Sequence, residues 1–312
     1  MIQVTNDAKD FLEDNEGMLL IYGIGNPGRW ISYYMKKCGM DWDGYVDRVA
    51  KGMDDIYLYE KRIMSPEELP KYKNQRLRII IAVEKQDEVL SDLQWYAKDN
   101  EILCLTAFYR DFITGEKVYD INKLLSYFRN KLLMKNVPTI ISNSCNAGFI
   151  YRALGVTPLS PTINTGIYPQ DFIKICREPQ KYLKEEVVFD HWTYFFGKRT
   201  PVGKIKDIEI NFAHAKNADQ AIKSWNTLKK WINWDNMIFI MEDDTDYIPY
   251  QIVEEFCGLS QRHLLVLKST SYSNARMNGI LYAYPYGYFR ARNVAIENGF
   301  DILGWINGEF EI

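Results

Sequence analysis

Four residues in two short segments of this 312-residue chain have the types and spacing for covalent chemistry. Ser142, Ser144 and Cys145 lie in Ser142-Asn143-Ser144-Cys145-Asn146-Ala147-Gly148, and His214 lies just past the end of an alternating run, Ile205 to Phe212. An apolar run, Val137 to Ile141, precedes the first segment and a helical pattern, Phe149 to Leu154, follows it. A strand that turns at once into a helix projects its turn residues into the crevice at the carboxyl edge of a sheet. The helix dipole there favours a thiolate or an oxyanion, and His214 is the candidate base. If the strands at 137–141 and 205–212 are parallel neighbours in one sheet, Ser142, Cys145 and His214 meet in one crevice, and the chemistry is acyl transfer through a covalent intermediate. The same residues also fit a plainer role, an Asn/Ser helix cap over a buried cysteine.

A second candidate is the acidic run Glu242-Asp243-Asp244-Thr245-Asp246, directly after the apolar run Asn236 to Met241. Asp244 and Asp246 have the spacing to hold Mg²⁺ or Mn²⁺ against a diphosphate, because hard cations take oxygen ligands. The run also suits an acidic helix N-terminus favoured by the macrodipole. A third candidate is Gly23-Ile24-Gly25-Asn26-Pro27-Gly28, between the apolar run Met18 to Tyr22 and a helical pattern. Gly23 and Gly25 allow a tight turn and close approach of a ligand, and Gly28 allows the helix to pack on the strand. The helix N-terminus offers N–H groups to a phosphate, although Pro27 removes one of them. Asp47, nineteen residues beyond Gly28, is placed to take ribose hydroxyls. Trp225, Trp231 and Trp234 are read chiefly as core, with sugar stacking as the sharper alternative.

The elements that position these residues read as α/β; the expectation is two α/β domains, the first (1–116) a small Rossmann-like doubly wound parallel sheet, the second (117–312) a mixed or parallel sheet with flanking helices. In the first, Ser65-Pro66-Glu67-Glu68 is a capping box, Arg78 to Val83 reads as a buried parallel strand, a helix follows over 85–98 and a strand over 101–105. Residues 117–135 read as a helix connecting the domains. In the second, helices are expected around 169–183 and 217–231, and strands at 236–241 and 264–267. At 47% hydrophobic and 25% charged, the chain affords two cores. The net charge of -3 gives no reason to expect nucleic acid as a partner. Five scattered cysteines without a CxxC pair argue against a disulfide framework or a cysteine-based zinc site. The first seventeen residues lack the apolar core of a signal peptide, and no apolar run reaches about 18 residues. A cytoplasmic protein is therefore expected.

Two resemblances add to this reading. The pattern LLIYGIGNPGR, GYVD, SPEELP and IIIAV resembles the N-terminal nucleotide-sugar-binding domain of bacterial sugar acetyltransferases. That resemblance implies a nucleotide-sugar site lined by Gly23, Gly25, Gly28 and Asp47. Residues 137–268 carry IISNSCNAGFIYRALG, SPTIN, a block from Pro201 to Asn236, and IFIMEDD. In that order they resemble uncharacterised bacterial proteins labelled exopolysaccharide-biosynthesis proteins, which implies surface-glycan assembly as a setting. The segment around Cys145 is also similar to the strand–turn–helix entry of polysaccharide acetyltransferases. The leading expectation is group transfer, acyl transfer favoured, from a donor such as acetyl-CoA to a nucleotide-sugar or sugar precursor, in a chain that could form an oligomer. Metal-dependent glycosyl transfer through Asp244 and Asp246, and a non-catalytic nucleotide-sugar-binding scaffold, are the alternatives.

Overall fold

The computed structural model describes residues 2–5, 7–83, 85–94, 102–106, 122–132, 136–153, 156–195, 197–243, 248–267, 280–282 and 301–309. The chain divides into two compact units, Met1–Met134 with Ala153–Gly155, and Lys135–Arg152 with Val156–Ile312.

The first unit runs β1 (Ile2–Thr5), α1 (Ala8–Glu13), β2 (Met18–Tyr22), α2 (Asn26–Lys37), β3 (Gly44–Val46), β4 (Tyr57–Leu58), β5 (Lys61–Met64), β6 (Leu77–Ile81), α3 (Gln86–Gln94), β7 (Ile102–Thr106) and α4 (Asn122–Lys131). The strands form one sheet in the order β1-β7-β6-β2-β3-β5-β4. All pairs are parallel except β4 with β5. The chain steps from β2 outward through β3 to β5, then crosses back to β6 and β7. That is a doubly wound sheet with its switch point between β2 and β6. Both central strands are apolar and buried because parallel strands are covered on two faces. Arg78 on β6 is the exception: it is 5% exposed, and its Nη1 donates to the Phe11 carbonyl at 2.9 Å, fastening α1 to the sheet. Tyr34 of α2 stacks on Phe128 of α4, with ring centroids 5.6 Å apart. The helix read as a connector thus packs within the first unit. The expected capping box is present, on a 3₁₀ helix (Pro66–Tyr72). Burial opposes ionisation of the Glu68 carboxyl. Hydrogen bonds from Arg62, Lys71 and the Ser65 N–H outweigh that and hold it at about 2.

The second unit runs β8 (Thr139–Ser142), α5 (Asn146–Ala153), α6 (Pro169–Arg177), α7 (Pro179–Leu183), β9 (Val188–Phe195), β10 (Lys198–Ile205), β11 (Ile208–Asn211), α8 (Ala218–Leu228), β12 (Met237–Glu242), α9 (Tyr250–Cys257), β13 (His263–Leu267), β14 (Ile280–Tyr282) and α10 (Ile302–Asn307). A four-stranded parallel sheet has the order β14-β13-β12-β8, with Ser142 opposite Ile240. A separate antiparallel meander has the order β11-β10-β9. Both sheets feed one core, in which Ile208 and Ile210 of the meander cluster with Phe239 and Met241 of the parallel sheet around Phe172, Trp225 and Phe256. Each such side chain contributes about 1.5–3 kcal/mol by leaving water.

The meander corrects the expected strand at 205–212. Lys206, at φ 52, and Asp207 reverse the chain, so that Ile205 of β10 faces Ile208 of β11. A tight two-residue reversal preserves the two-residue apolar alternation, so the sequence reads as one strand through a turn that carries neither glycine nor asparagine. The expected helix at 169–183 is broken by Pro179 into α6 and α7, as proline requires. The helix at 217–231 ends at Leu228 and tightens into a 3₁₀ turn. Trp225 is core, and Trp234 packs half-buried against the same cluster with the Lys184 ammonium 5.3 Å from its ring, whereas Trp231 is 60% exposed.

Candidate functional site

The best-formed site lies where β8 ends. Ser142, the last residue of β8, is wholly buried. Its amide donates to Thr162 Oγ1 at 3.0 Å. Its hydroxyl donates to the Ser144 carbonyl at 2.5 Å and accepts from the Ala147 amide at 3.2 Å. The Ser144 hydroxyl accepts from the Asn146 amide at 3.3 Å. Two of the orphan N–H groups that open α5 are therefore met by side chains of the preceding turn. Asn143 braces the two strand ends: its Nδ2 donates to the Glu242 carbonyl at 2.9 Å and its Oδ1 accepts from the Glu242 amide at 3.0 Å. A buried carboxamide here does the work of a further pair of ladder bonds between β8 and β12.

This frame presents Cys145 at the entry to α5, with its carbonyl accepting from the Phe149 amide. The thiol is half-buried. Its Sγ lies 3.2 Å from His214 Nε2 and 3.9 Å from the Thr165 carbonyl. His214 is exposed, in the turn that follows β11, where the Ala215 amide bonds the Phe212 carbonyl. Two links bring that turn to Cys145. Gly166 and Asn211 form an isolated antiparallel bridge with amide–carbonyl distances of 2.7 and 2.8 Å. The Ile167 amide donates to the Asn143 carbonyl at 2.8 Å. The segment 160–167 is itself fixed by buried hydroxyls, Ser160 to Thr162 at 3.0 Å and Thr165 to the Thr162 carbonyl at 2.8 Å.

The expectation that Cys145 and His214 converge is met by a different route from the one supposed. They do not leave parallel strands of one sheet. His214 leaves an antiparallel meander, and the 160–167 loop carries it to the edge of the other sheet. Ser142 lies beneath the pair, with its hydroxyl committed to the turn. Nothing in the sequence alone singles out Asn143 or the Gly166–Asn211 bridge, whereas the Ser/Thr-rich stretch Ser160 to Thr165 is the pattern of a hydroxyl-braced turn. Asp244 and Asp246 lie outside the described residues. Glu242, which opens the acidic run, is the last residue of β12 and is buried.

Among the described residues, one group has the donor atoms for a cation. Asp190, His191 and Glu209 place theirs within 4.8 Å of one another on the meander. A register shift in the β9–β10 pairing makes Asp190 an extra residue, and its carboxylate already lies 2.7 Å from His191 Nδ1. Asp190 and His191 are exposed, and the ordinary account of the group is a surface ion pair.

The glycine turn of the first unit is built otherwise. Gly23, at φ 106, stands at the switch point with Val83 and Ala82 against it. A Cβ on Gly28 would overlap the Gly23 carbonyl, so helix and turn pack as expected. The half-buried Asp47 meets the turn itself: its Oδ2 accepts from the Ile24 amide and its Oδ1 from the Val49 amide, each at 2.9 Å. Gly25 is the N-cap of α2, with Pro27 in its first turn.

A family model described as a domain of unknown function, DUF1919, matches residues 115–307. The chain belongs to the DUF1919 family. The matched region holds Ser142, Cys145 and His214, and the glycine turn lies before it. An uncharacterised protein of Haemophilus influenzae is 28% identical over 193 residues, which cover 61% of this chain and 88% of that protein. No described helix of this DUF1919 protein is long and apolar enough to cross a membrane.

Proposed function

We propose that the DUF1919 region is a cysteine-dependent acyltransferase, with Cys145 as nucleophile and His214 as general base. The observation that carries this reading is the 3.2 Å approach of Cys145 Sγ to His214 Nε2 at a helix entry, with the thiol half-buried and the imidazole open to solvent. In the first half-reaction His214 takes the thiol proton and Sγ attacks the carbonyl carbon of an acyl ester or thioester. The bond to the leaving group breaks, His214 returns its proton to that group, and an acyl-cysteine remains. In the second half His214 takes the proton of an acceptor hydroxyl, which attacks the thioester carbonyl; the thiolate leaves and is reprotonated from His214. The donor is a thioester such as acetyl-CoA. The acceptor is a sugar hydroxyl of a surface-glycan precursor, a class supported by the resemblance of residues 137–268 to exopolysaccharide-associated proteins.

The test is covalent trapping. After exposure to acetyl-CoA or p-nitrophenyl acetate, peptide mass spectrometry is expected to find one acetyl group, on Cys145. Cys145→Ala is expected to abolish it, and His214→Ala to slow its formation by about 10²- to 10⁴-fold. Ser142→Ala is expected to keep the acetyl group on Cys145. Acetylation that survives Cys145→Ala at another residue, or none in the wild-type protein with either donor, overturns the assignment.

A further inference from the structure

We infer that the side-chain carboxamide of Asn146 is the hydrogen-bond donor that receives the developing oxyanion during acylation of Cys145. This rests on the acyl-transfer reading and adds to it a residue the sequence analysis did not single out. The argument is one of elimination along a single turn. Ser142 spends its hydroxyl on the Ser144 carbonyl and the Ala147 amide. Asn143 spends both ends of its carboxamide on the backbone of Glu242. Ser144 spends its hydroxyl on the Asn146 amide. The usual donors for an oxyanion at a helix entry are the first backbone N–H groups, and those of Asn146 and Ala147 are already taken.

Asn146 differs from every other polar side chain in the segment. It is 1% exposed, and among the described residues neither its Nδ2 nor its Oδ1 has a hydrogen-bond partner. Folded proteins rarely leave a buried amide unmade, and such groups point to catalysis, an ordered water or a ligand. Asn146 is the first residue of α5 and follows Cys145 directly. Side chains of a helix lean back toward its N-terminus, and Cys145 lies on that side. A buried amide left unpaired by the protein beside a nucleophile costs stability in the resting protein. It gives that back when charge develops on the carbonyl oxygen of the acyl group, since a water-excluded donor is worth most there. The oxygen leaves as a carbonyl again when the tetrahedral adduct collapses, so the amide donates a hydrogen bond and transfers no proton.

The experiment compares two reactions of the same thiol in the full-length protein. Acetylation by p-nitrophenyl acetate passes through an oxyanion; alkylation by iodoacetamide does not. Asn146→Leu removes the amide at nearly constant shape, and Asn146→Asp keeps the shape without the N–H donor. Both are expected to slow acetylation of Cys145 by about 10²- to 10³-fold, and Asn146→Leu, which adds no charge beside the thiol, is expected to change the alkylation rate by less than about two-fold. Asn146→Leu is also expected to raise the melting temperature, because the unpaired buried amide is gone. Wild-type acetylation rates in the two variants overturn the inference and leave the acyl-transfer reading standing. A parallel fall of both reactions in Asn146→Leu also overturns it, because Asn146 would then only position Cys145. No acetylation of the wild-type protein overturns the acyl-transfer reading itself.

Discussion

Two strand–turn–helix junctions at the carboxyl edges of parallel sheets, β2–α2 and β8–α5, are finished in opposite ways. At β2–α2 the polar groups close on themselves. Asp47 ties the Ile24 and Val49 amides, and the Arg29 side chain donates to the Ile24 carbonyl at 2.9 Å. Gly28 abuts the Gly23 carbonyl. At β8–α5 the serines and Asn143 hold the turn, and the thiol is left facing an imidazole while Asn146 keeps an unmet amide. A glycine fingerprint describes how closely backbone can approach backbone, and the occupant of that space can be the protein itself. A functional junction is recognised by which hydrogen-bonding groups remain after the turn has satisfied its own.

The comparison can be broken most directly at the thiols. Iodoacetamide is expected to label Cys145 first, by more than about tenfold over the other four cysteines, because reactivity follows thiolate character and access. Burial pushes the Cys104 thiol up to about 12 and Cys257 to about 11, and it raises Cys38 and Cys176 as well. Peptide mapping against time checks the order. If Cys38 or Cys257 reacts as fast as Cys145, the second junction is no more reactive than the rest of the molecule.

Gly28→Ala sharpens the other side. The added side chain has no room against the Gly23 carbonyl, and the loss is expected to reach about 3 kcal/mol in urea unfolding, as for other overpacked sites. The matching change at the second junction, Gly148→Ala, meets only ordinary contacts with Ile163 and Asn164, the nearest at 3.4 Å. It is expected to cost less than about 1 kcal/mol, and equal losses at the two positions would remove the contrast.

The smallest expected effect is at Asp47. Asp47→Ala leaves the Ile24 and Val49 amides without their acceptor and is expected to cost about 1–2 kcal/mol, with or without ligand. The same variant run against UDP- and GDP-sugars decides the role of the turn. Thermal stabilisation of the wild-type protein by a nucleotide-sugar that vanishes in Asp47→Ala would support the ribose-binding role expected from the sequence.

The sequence by itself determined the local events. Runs such as Met18–Tyr22, Leu77–Ile81 and Met237–Glu242 are apolar at nearly every position because both faces of a parallel strand are covered. The helix starts after Gly25 and Cys145, and the Ser65 box, were legible because capping is written within a few residues. Cys145 and His214 were legible as chemical types. The tertiary structure alone decided their meeting. They are 69 residues apart, and the path between them runs through a meander whose Lys206-Asp207 turn carries no turn signature. A two-residue bridge, Gly166 with Asn211, completes it. It also decided that the Asp47 carboxylate reaches the Ile24 amide, 23 residues away. Whether a hydroxyl or carboxylate is spent depends on which groups come within about 3 Å of it: Ser142 finds both hydroxyl partners within its own turn, whereas Asp47 finds one in its own turn and one across the sheet.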